Sequence, residues 1–259
     1  MKPSEFARWR WQLVGGLMLS VVVSCNSLHA ADSVTVFMIG DSTMADKPVI
    51  PENPERGWGQ LLPLYFDTSV RIENHAVNGR SSKSFRDEGR WDVVLQRIKA
   101  GDWVIIQFGH NDQKTDAARH TDPFESYTAN LLRFAQEAQE KGGRPILATP
   151  VARRRFDSEG KLQSTHGDYP DAVRKLAAQH HFPLLDMTAK SAGLLERLGP
   201  ERSEALFVWS RPGEYDRFPD GNQDNTHFNA LGATRMCDLA VTELQQVAGE
   251  LAKYLKSGK

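Results

Sequence analysis

Cysteine is nearly absent from this chain of 259 residues, with only Cys25 and Cys237 present. Two such thiols make no disulfide framework, so the fold must stand on a hydrophobic core. At this length a core can be large enough for that. Excess charge is missing as well: 32 Lys and Arg face 33 Asp and Glu, a formal net of −1. No global field then exists to draw in nucleic acid, whereas a small neutral or acidic substrate stays admissible. The apolar run Leu13 to Val23 is short for a bilayer span. His75, His120, His166, His180 and His181 keep no zinc-site spacing with Cys or acidic residues. His180-His181 most simply ends a helix, where positive charge suits the dipole. Internal repeats, heptads and low-complexity tracts are also lacking, which excludes solenoids and coiled coils.

What is present begins with a distinctive N-terminus. Lys2, Arg8 and Arg10 precede the apolar run, and small residues follow it as far as Ala30 and Ala31. That order is the layout of a secretory signal over residues 1–30, ahead of a domain over 31–259. Two exits are open. Val22-Val23-Ser24-Cys25 resembles a bacterial lipobox that would lipidate Cys25, whereas cleavage after Ala30 would release a soluble protein. Both predict export from a bacterial cell: periplasmic, outer-membrane lipoprotein or secreted. Either way Cys25 leaves the core and Cys237 has no disulfide partner. Cys237, in an amphipathic stretch, reads as a small buried hydrophobe.

Past the leader, short apolar runs alternate with amphipathic stretches. Strands are predicted at 34–39, 70–74, 103–108, 145–148 and 182–185. Helices are predicted to begin near Trp58 and to cover 91–99, 124–141, 169–180 and 230 to about 255. Asp122-Pro123 can start the third and Gly142-Gly143 can end it. Strands separated by helix-sized segments imply right-handed βαβ units and an α/β fold with a parallel sheet. Such sheets carry their sites beyond the carboxyl ends of the strands, here loops 40–47, 75–86, 109–121 and 149–167. Residues 203–229, rich in Gly, Pro, Asp and aromatics, read as a long irregular loop delivering something to the site.

Chemistry-bearing residues fall in those places. Gly40-Asp41-Ser42-Thr43 follows the first strand, where a serine can face solvent near backbone N–H groups. The same residues also make an ordinary turn or helix cap. A nucleophilic serine needs a base, and the base an orienting acid. Asp224-Asn225-Thr226-His227 offers both, with a three-residue step that puts two side chains on one side of a helical turn. A polar loop with a capping His would read the same. An oxyanion needs N–H donors. Asn78-Gly79-Arg80 follows the second strand, with a glycine that lets backbone approach a ligand. Gly109-His110-Asn111-Asp112 follows the third, with an amide NH₂ that does not titrate. Each alone is as well explained by a turn; their conjunction is not.

Together these blocks resemble the SGNH (GDSL-type) hydrolase superfamily over nearly the whole mature chain. The resemblance implies a nucleophile at Ser42, an acid and a base at Asp224 and His227, and oxyanion donors at Ser42 N–H, Gly79 and Asn111. No block is missing. Residues 74–82 (NHAVNGRSS), 107–112 (QFGHND), 149–154 (TPVARR) and 224–228 (DNTHF) are similar, more narrowly, to rhamnogalacturonan acetylesterases. That similarity implies a flavodoxin-like three-layer α/β/α sandwich with a five-stranded parallel sheet. It also implies deacetylation of pectic rhamnogalacturonan through an acetyl-enzyme, with no metal or organic cofactor.

The expected partner is therefore an acetylated plant cell-wall polysaccharide or oligosaccharide. Arg153, Arg154 and Arg155 follow the fourth strand, and arginine pairs with the carboxylates of a uronate polymer. A solvated basic loop is the plainer reading of the same run. His110 and Trp209 are further candidate substrate contacts, although Trp209, Tyr215 and Phe218 can equally pin their loop to the body. Rival readings keep the scaffold and change the ester (a lipase, thioesterase or xylan acetylesterase). A non-catalytic glycan-binding lipoprotein is the rival of another class.

Overall fold

The computed structural model of the protein describes residues 34–256. The proposed leader, with Cys25 and the Ala30 exit, lies outside the described residues. Five strands form one parallel sheet: β1 (Val34–Gly40), β2 (Val70–Asn74), β3 (Trp103–Gln107), β4 (Arg144–Ala148) and β5 (Leu184–Leu185). Their spatial order is β2-β1-β3-β4-β5. The first crossover runs to one side of β1 and the next returns to the other. This reversal opens a crevice beyond the carboxyl ends of β1 and β3, the place where doubly wound sheets bind ligands.

Both faces of the sheet are apolar because side chains alternate along each strand. Val36, Met38, Trp103, Ile105, Ile146 and Ala148 face one layer. That layer contains α1 (Trp58–Leu61), α6 (Met187–Ser203) and α7 (Ala230–Val247). Phe37, Ile39, Val104, Ile106 and Leu147 face the other. Here lie α2 (Ser82–Asp87), α3 (Arg90–Leu95), α4 (Thr128–Glu140) and α5 (Tyr169–His180). The result is the expected three-layer sandwich. Cys237 lies fully buried on α7, and its sulfur donates to the Trp58 carbonyl at 3.0 Å.

Several expectations need correction. The segment 203–229 is not one irregular loop: β6 (Phe207–Ser210) and β7 (Asn222–Phe228) pair antiparallel outside the main sheet. The last helix does not run on to residue 255. It breaks at Ala248 (φ −138°), and α8 (Gly249–Ala252) follows as a separate turn. The fifth strand is only Leu184–Leu185, because Pro183 has no N–H to give a ladder and serves only as acceptor for Leu147 N–H. The third helix begins with a wide π-type turn at Pro123–Tyr127 before the α-helix proper. The sequence pattern missed α2 and α6. In α6 the apolar spacing is weak, and Gly199 (φ 72°) with Pro200 kinks the helix near its end.

Candidate active site

The turn after β1 carries Ser42. Gly40 is required there by close approach, since a Cβ on it would stand 2.6 Å from the Gln107 carbonyl of β3. Amides of Met44 and Ala45 donate back to the Asp41 carbonyl at 3.2 and 3.0 Å, closing the turn. Beneath it runs a fully buried chain of hydrogen bonds. Trp58 Nε1 donates to Gln107 Oε1 at 3.1 Å, and Gln107 Nε2 donates to Thr43 Oγ1 at 2.9 Å. Thr43 Oγ1 in turn donates to Asp41 Oδ1 at 2.8 Å, joined by Thr43 N–H at 2.9 Å. The atoms linking Trp58, Gln107, Thr43 and Asp41 Oδ1 are all paired along it, which holds the turn in place, while the buried Asp41 Oδ2 accepts no hydrogen bond among the described residues.

Ser42 Oγ lies 2.8 Å from His227 Nε2. His227 Nδ1 lies 2.7 Å from Asp224 Oδ2. The other Asp224 oxygen accepts the N–H groups of Thr226 at 2.7 Å and His227 at 2.9 Å. Burial works against the charge on Asp224. The hydrogen bond and charge of His227, with those two backbone donors, more than offset it and hold the carboxyl below the usual range. The candidate acid and base therefore meet in a way the sequence did not foresee. They stand on no helical turn. Cross-strand partners run from Phe207–Phe228 directly to Trp209–Gln223, so residues 224–227 bulge out of the ladder. Inside that bulge the Asp224 carboxylate accepts the N–H groups that the ladder leaves unpaired. Asn229 then caps α7 by accepting Gly232 N–H at 3.0 Å.

The oxyanion candidates lie around the same crevice. Gly79 has φ 76°, a left-handed backbone that resists any side chain, although a Cβ there would meet nothing within 4 Å. Asn111 is buried and gives one amide N–H to the Arg80 carbonyl at 3.1 Å. This bond fixes the amide plane and leaves its second N–H for another acceptor. Asp112, whose role was not read from the sequence, ties the two loops together. It accepts Ser82 N–H at 3.0 Å, Ser82 Oγ at 2.5 Å, Gly109 N–H at 3.0 Å and Thr121 Oγ1 at 3.1 Å. Burial pushes its carboxyl up to about 7 despite the bonds from Ser82 and Thr121. Lys47 is a second missed brace: buried, it pairs with Glu55 at 2.6 Å and donates to Asn78 Oδ1 at 2.5 Å. Among the described residues, no group of three or more His, Cys, Asp or Glu is arranged to hold a metal ion.

The candidate substrate contacts separate into different roles. His110 is buried. Its Nδ1 stands 3.3 Å from Asp41 Oδ2, and its ring meets His166 edge-on at 4.4 Å. For this pair the dominant effect is desolvation, which favours a neutral His110. Arg154, expected among the substrate contacts, turns inward instead. It donates to Asn225 Oδ1 at 2.8 Å, Ser203 Oγ at 3.1 Å, Glu204 Oε1 at 2.8 Å and the Pro200 carbonyl. Its guanidinium covers the Trp209 ring at 4.6 Å. Trp209 Nε1 also donates to Asn225 Oδ1, at 3.0 Å. Thus Arg154 and Trp209 together grip Asn225, the residue after Asp224. Tyr215 and Phe218 bridge to each other at the tip of the hairpin, away from this grip. Of the arginines beside Arg154, Arg153 is half-buried and Arg155 exposed; Arg153 is the one bonded to the loop that carries Asn111. It donates to the His110 carbonyl at 3.3 Å and the Thr165 carbonyl at 3.2 Å.

Chemically, this arrangement can generate a serine alkoxide equivalent beside amide donors, which is what acyl transfer needs. Comparison with known proteins points the same way. The sequence profile of the GDSL-like Lipase/Acylhydrolase family matches residues 38–235. Rhamnogalacturonan acetylesterase RhgT of Bacillus subtilis is 42% identical over 224 residues, covering 86% of this chain and 95% of that protein. Probable rhamnogalacturonan acetylesterase YesY of the same organism is 33% identical, covering 89% and 97%. Among solved structures, B. subtilis YxiM superposes with a TM-score of 0.71 at 29% identity, covering 84% of this chain and 58% of that one. The acetylxylan esterase Axe2 of Geobacillus stearothermophilus shares the fold, with a TM-score of 0.59 at 21% identity, covering 82% and 94%.

Proposed function

Since the chain belongs to the GDSL-like lipase/acylhydrolase family, we propose that it is a serine carbohydrate esterase removing O-acetyl groups from pectic rhamnogalacturonan or its oligosaccharides. The observation that carries this reading is the unbroken path from Ser42 Oγ through His227 to Asp224, with both links under 3 Å. Rhamnogalacturonan acetylesterase RhgT and the probable rhamnogalacturonan acetylesterase YesY, each similar along nearly its full length, support the substrate class. Axe2 supports the fold only.

In the proposed reaction His227 Nε2 takes the Ser42 proton as Oγ attacks the acetyl carbonyl. Asp224 keeps the His227 Nδ1 proton in place and stabilises the imidazolium. Its depressed pKa keeps it anionic through the neutral range. Ser42 N–H, Gly79 N–H and the second amide N–H of Asn111 receive the oxyanion. The tetrahedral intermediate collapses, and the imidazolium gives its proton to the departing sugar oxygen. Water, deprotonated by His227, then cleaves the acetyl-enzyme to acetate and free Ser42.

A polymeric wall substrate lies outside the cell, which agrees with the proposed export through residues 1–30. The mass of the mature N-terminus separates lipidated Cys25 from Ala31. Substrate class is tested by acetate release from acetylated rhamnogalacturonan against acetylated xylan at equal ester concentration. The reading expects the pectic substrate to be preferred; a preference for xylan overturns it.

A further inference from the structure

Beside the triad lies an open depression of about 520 Å³, lined by Gln113, Lys114, Arg153, Arg154, Arg155, Thr165 and Asn225. None of these seven is acidic. Arg154 is neutralised locally by Glu204. The other three cations form no ion pair among the described residues. Lys114 and Arg155 are exposed, so water solvates them. Arg153 is different. Burial lowers its pKa, which means its charge is held at a cost, and Asp41 acts on it only through space. Its visible partners are neutral: the His110 and Thr165 carbonyls, and Gln113. With its amide turned to suit both neighbours, Gln113 accepts from Arg153 at 2.7 and 2.9 Å and donates to the Thr165 carbonyl at 2.9 Å. Both terminal nitrogens of the guanidinium are thus held by neutral acceptors, while its Nε–H bonds to nothing and no anion pairs with its charge among the described residues. A partly desolvated, preorganised cation of this kind suits a carboxylate supplied by a ligand.

Position supplies the rest. Asn225 on the rim follows Asp224, and Arg153 touches the carbonyl of His110, which precedes Asn111. The depression therefore adjoins the reacting centre on its base side. We propose that it is a subsite for the carboxylate of a uronate residue near the acetylated sugar, with Arg153 as the principal contact and Lys114 and Arg155 flanking it. The proposal rests on the rhamnogalacturonan reading, whose backbone supplies such a carboxylate.

The test compares acetylated rhamnogalacturonan oligosaccharides with the same material after its carboxyl groups are reduced to alcohols. The wild-type chain is expected to favour the carboxylate form in kcat/KM. Arg153→Gln should shrink that preference about ten-fold, the scale of one charge-assisted contact. Arg153 also braces the 165 region, so Lys114→Gln with Arg155→Gln serves as a second variant at exposed positions. It should shrink the preference two- to three-fold, roughly the worth of screened surface charges. Equal wild-type rates on both forms leave the esterase reading standing and overturn the subsite. Failure to release acetate from either form overturns the underlying reading and the subsite with it. A preference unchanged in both variants also overturns the subsite.

Discussion

Ser42 and His227 meet at 2.8 Å, yet the two sides of that contact are held by different means. Ser42 follows a central strand and rests on the buried chain Trp58–Gln107–Thr43–Asp41, with the Asp112 brace fixing the adjoining loops. His227 stands on a bulge of a two-stranded ribbon outside the main sheet, gripped largely through Asn225. The serine side is a product of the core. The base side lies outside the sheet: Phe207 and Phe228 anchor its ribbon in the core, and Asn225 steadies the bulge itself. Damage to the first should therefore register in stability as well as rate, and damage to the second mainly in rate.

The largest effect expected from a single donor is at Asn111. Asn111→Ala removes a proposed oxyanion donor and should lower kcat by roughly 10²- to 10³-fold. A loss confined to KM would deny it that role. Next is the buried chain. Thr43→Val leaves Gln107 Nε2 without its acceptor and removes one of the two bonds to Asp41 Oδ1, and should cost about 1–3 kcal/mol of stability in denaturant unfolding, along with a lower kcat. A variant as stable as wild type would remove the distinction between the two sides. On the base side, Asn225→Ala should lower kcat by up to about 10²-fold, the scale of misplacing rather than deleting a base. Its melting temperature should move far less than that of Thr43→Val. Because Arg154 and Trp209 act through Asn225, Arg154→Lys should give a smaller loss in the same direction, with KM little changed.

The smallest effect is a pH dependence. The folded pKa of Asp224 is depressed, so its charged form contributes stability that is fully present above the unfolded value near 4. That contribution disappears as pH falls through the lower folded value. The stability gap between wild type and Asp224→Asn should be constant from pH 7 to pH 5 and close only below about pH 4. A gap that closes near pH 6 would assign the linkage to another group.

The same division explains what the sequence disclosed. The serine side was legible because strand, glycine and polar turn are contiguous: Val34–Gly40 runs straight into Ser42, and Trp103–Gln107 nearly into Asn111. Periodicity finds such units. The base side was legible only as residue types. Asp224 and His227 stand three apart, but their geometry comes from a bulge set by pairing with Phe207 and Trp209, which no local pattern announces. Arg154 shows the same limit. Three consecutive arginines look alike in sequence, and the inward turn of the middle one depends on Asn225, Ser203 and Glu204, all roughly fifty or more positions away. Helix α6 was hidden because Gly193, Gly199 and Pro200 interrupt its apolar spacing.

The central claim is that Ser42 is the nucleophile activated by His227. The most direct measurement is intact-mass analysis after treatment with an organophosphonate, with peptide mapping of the adduct. The account predicts one adduct, located on Ser42, absent in Ser42→Ala and formed far more slowly in His227→Ala. An adduct of equal rate in Ser42→Ala, or one mapped to another residue, would contradict it.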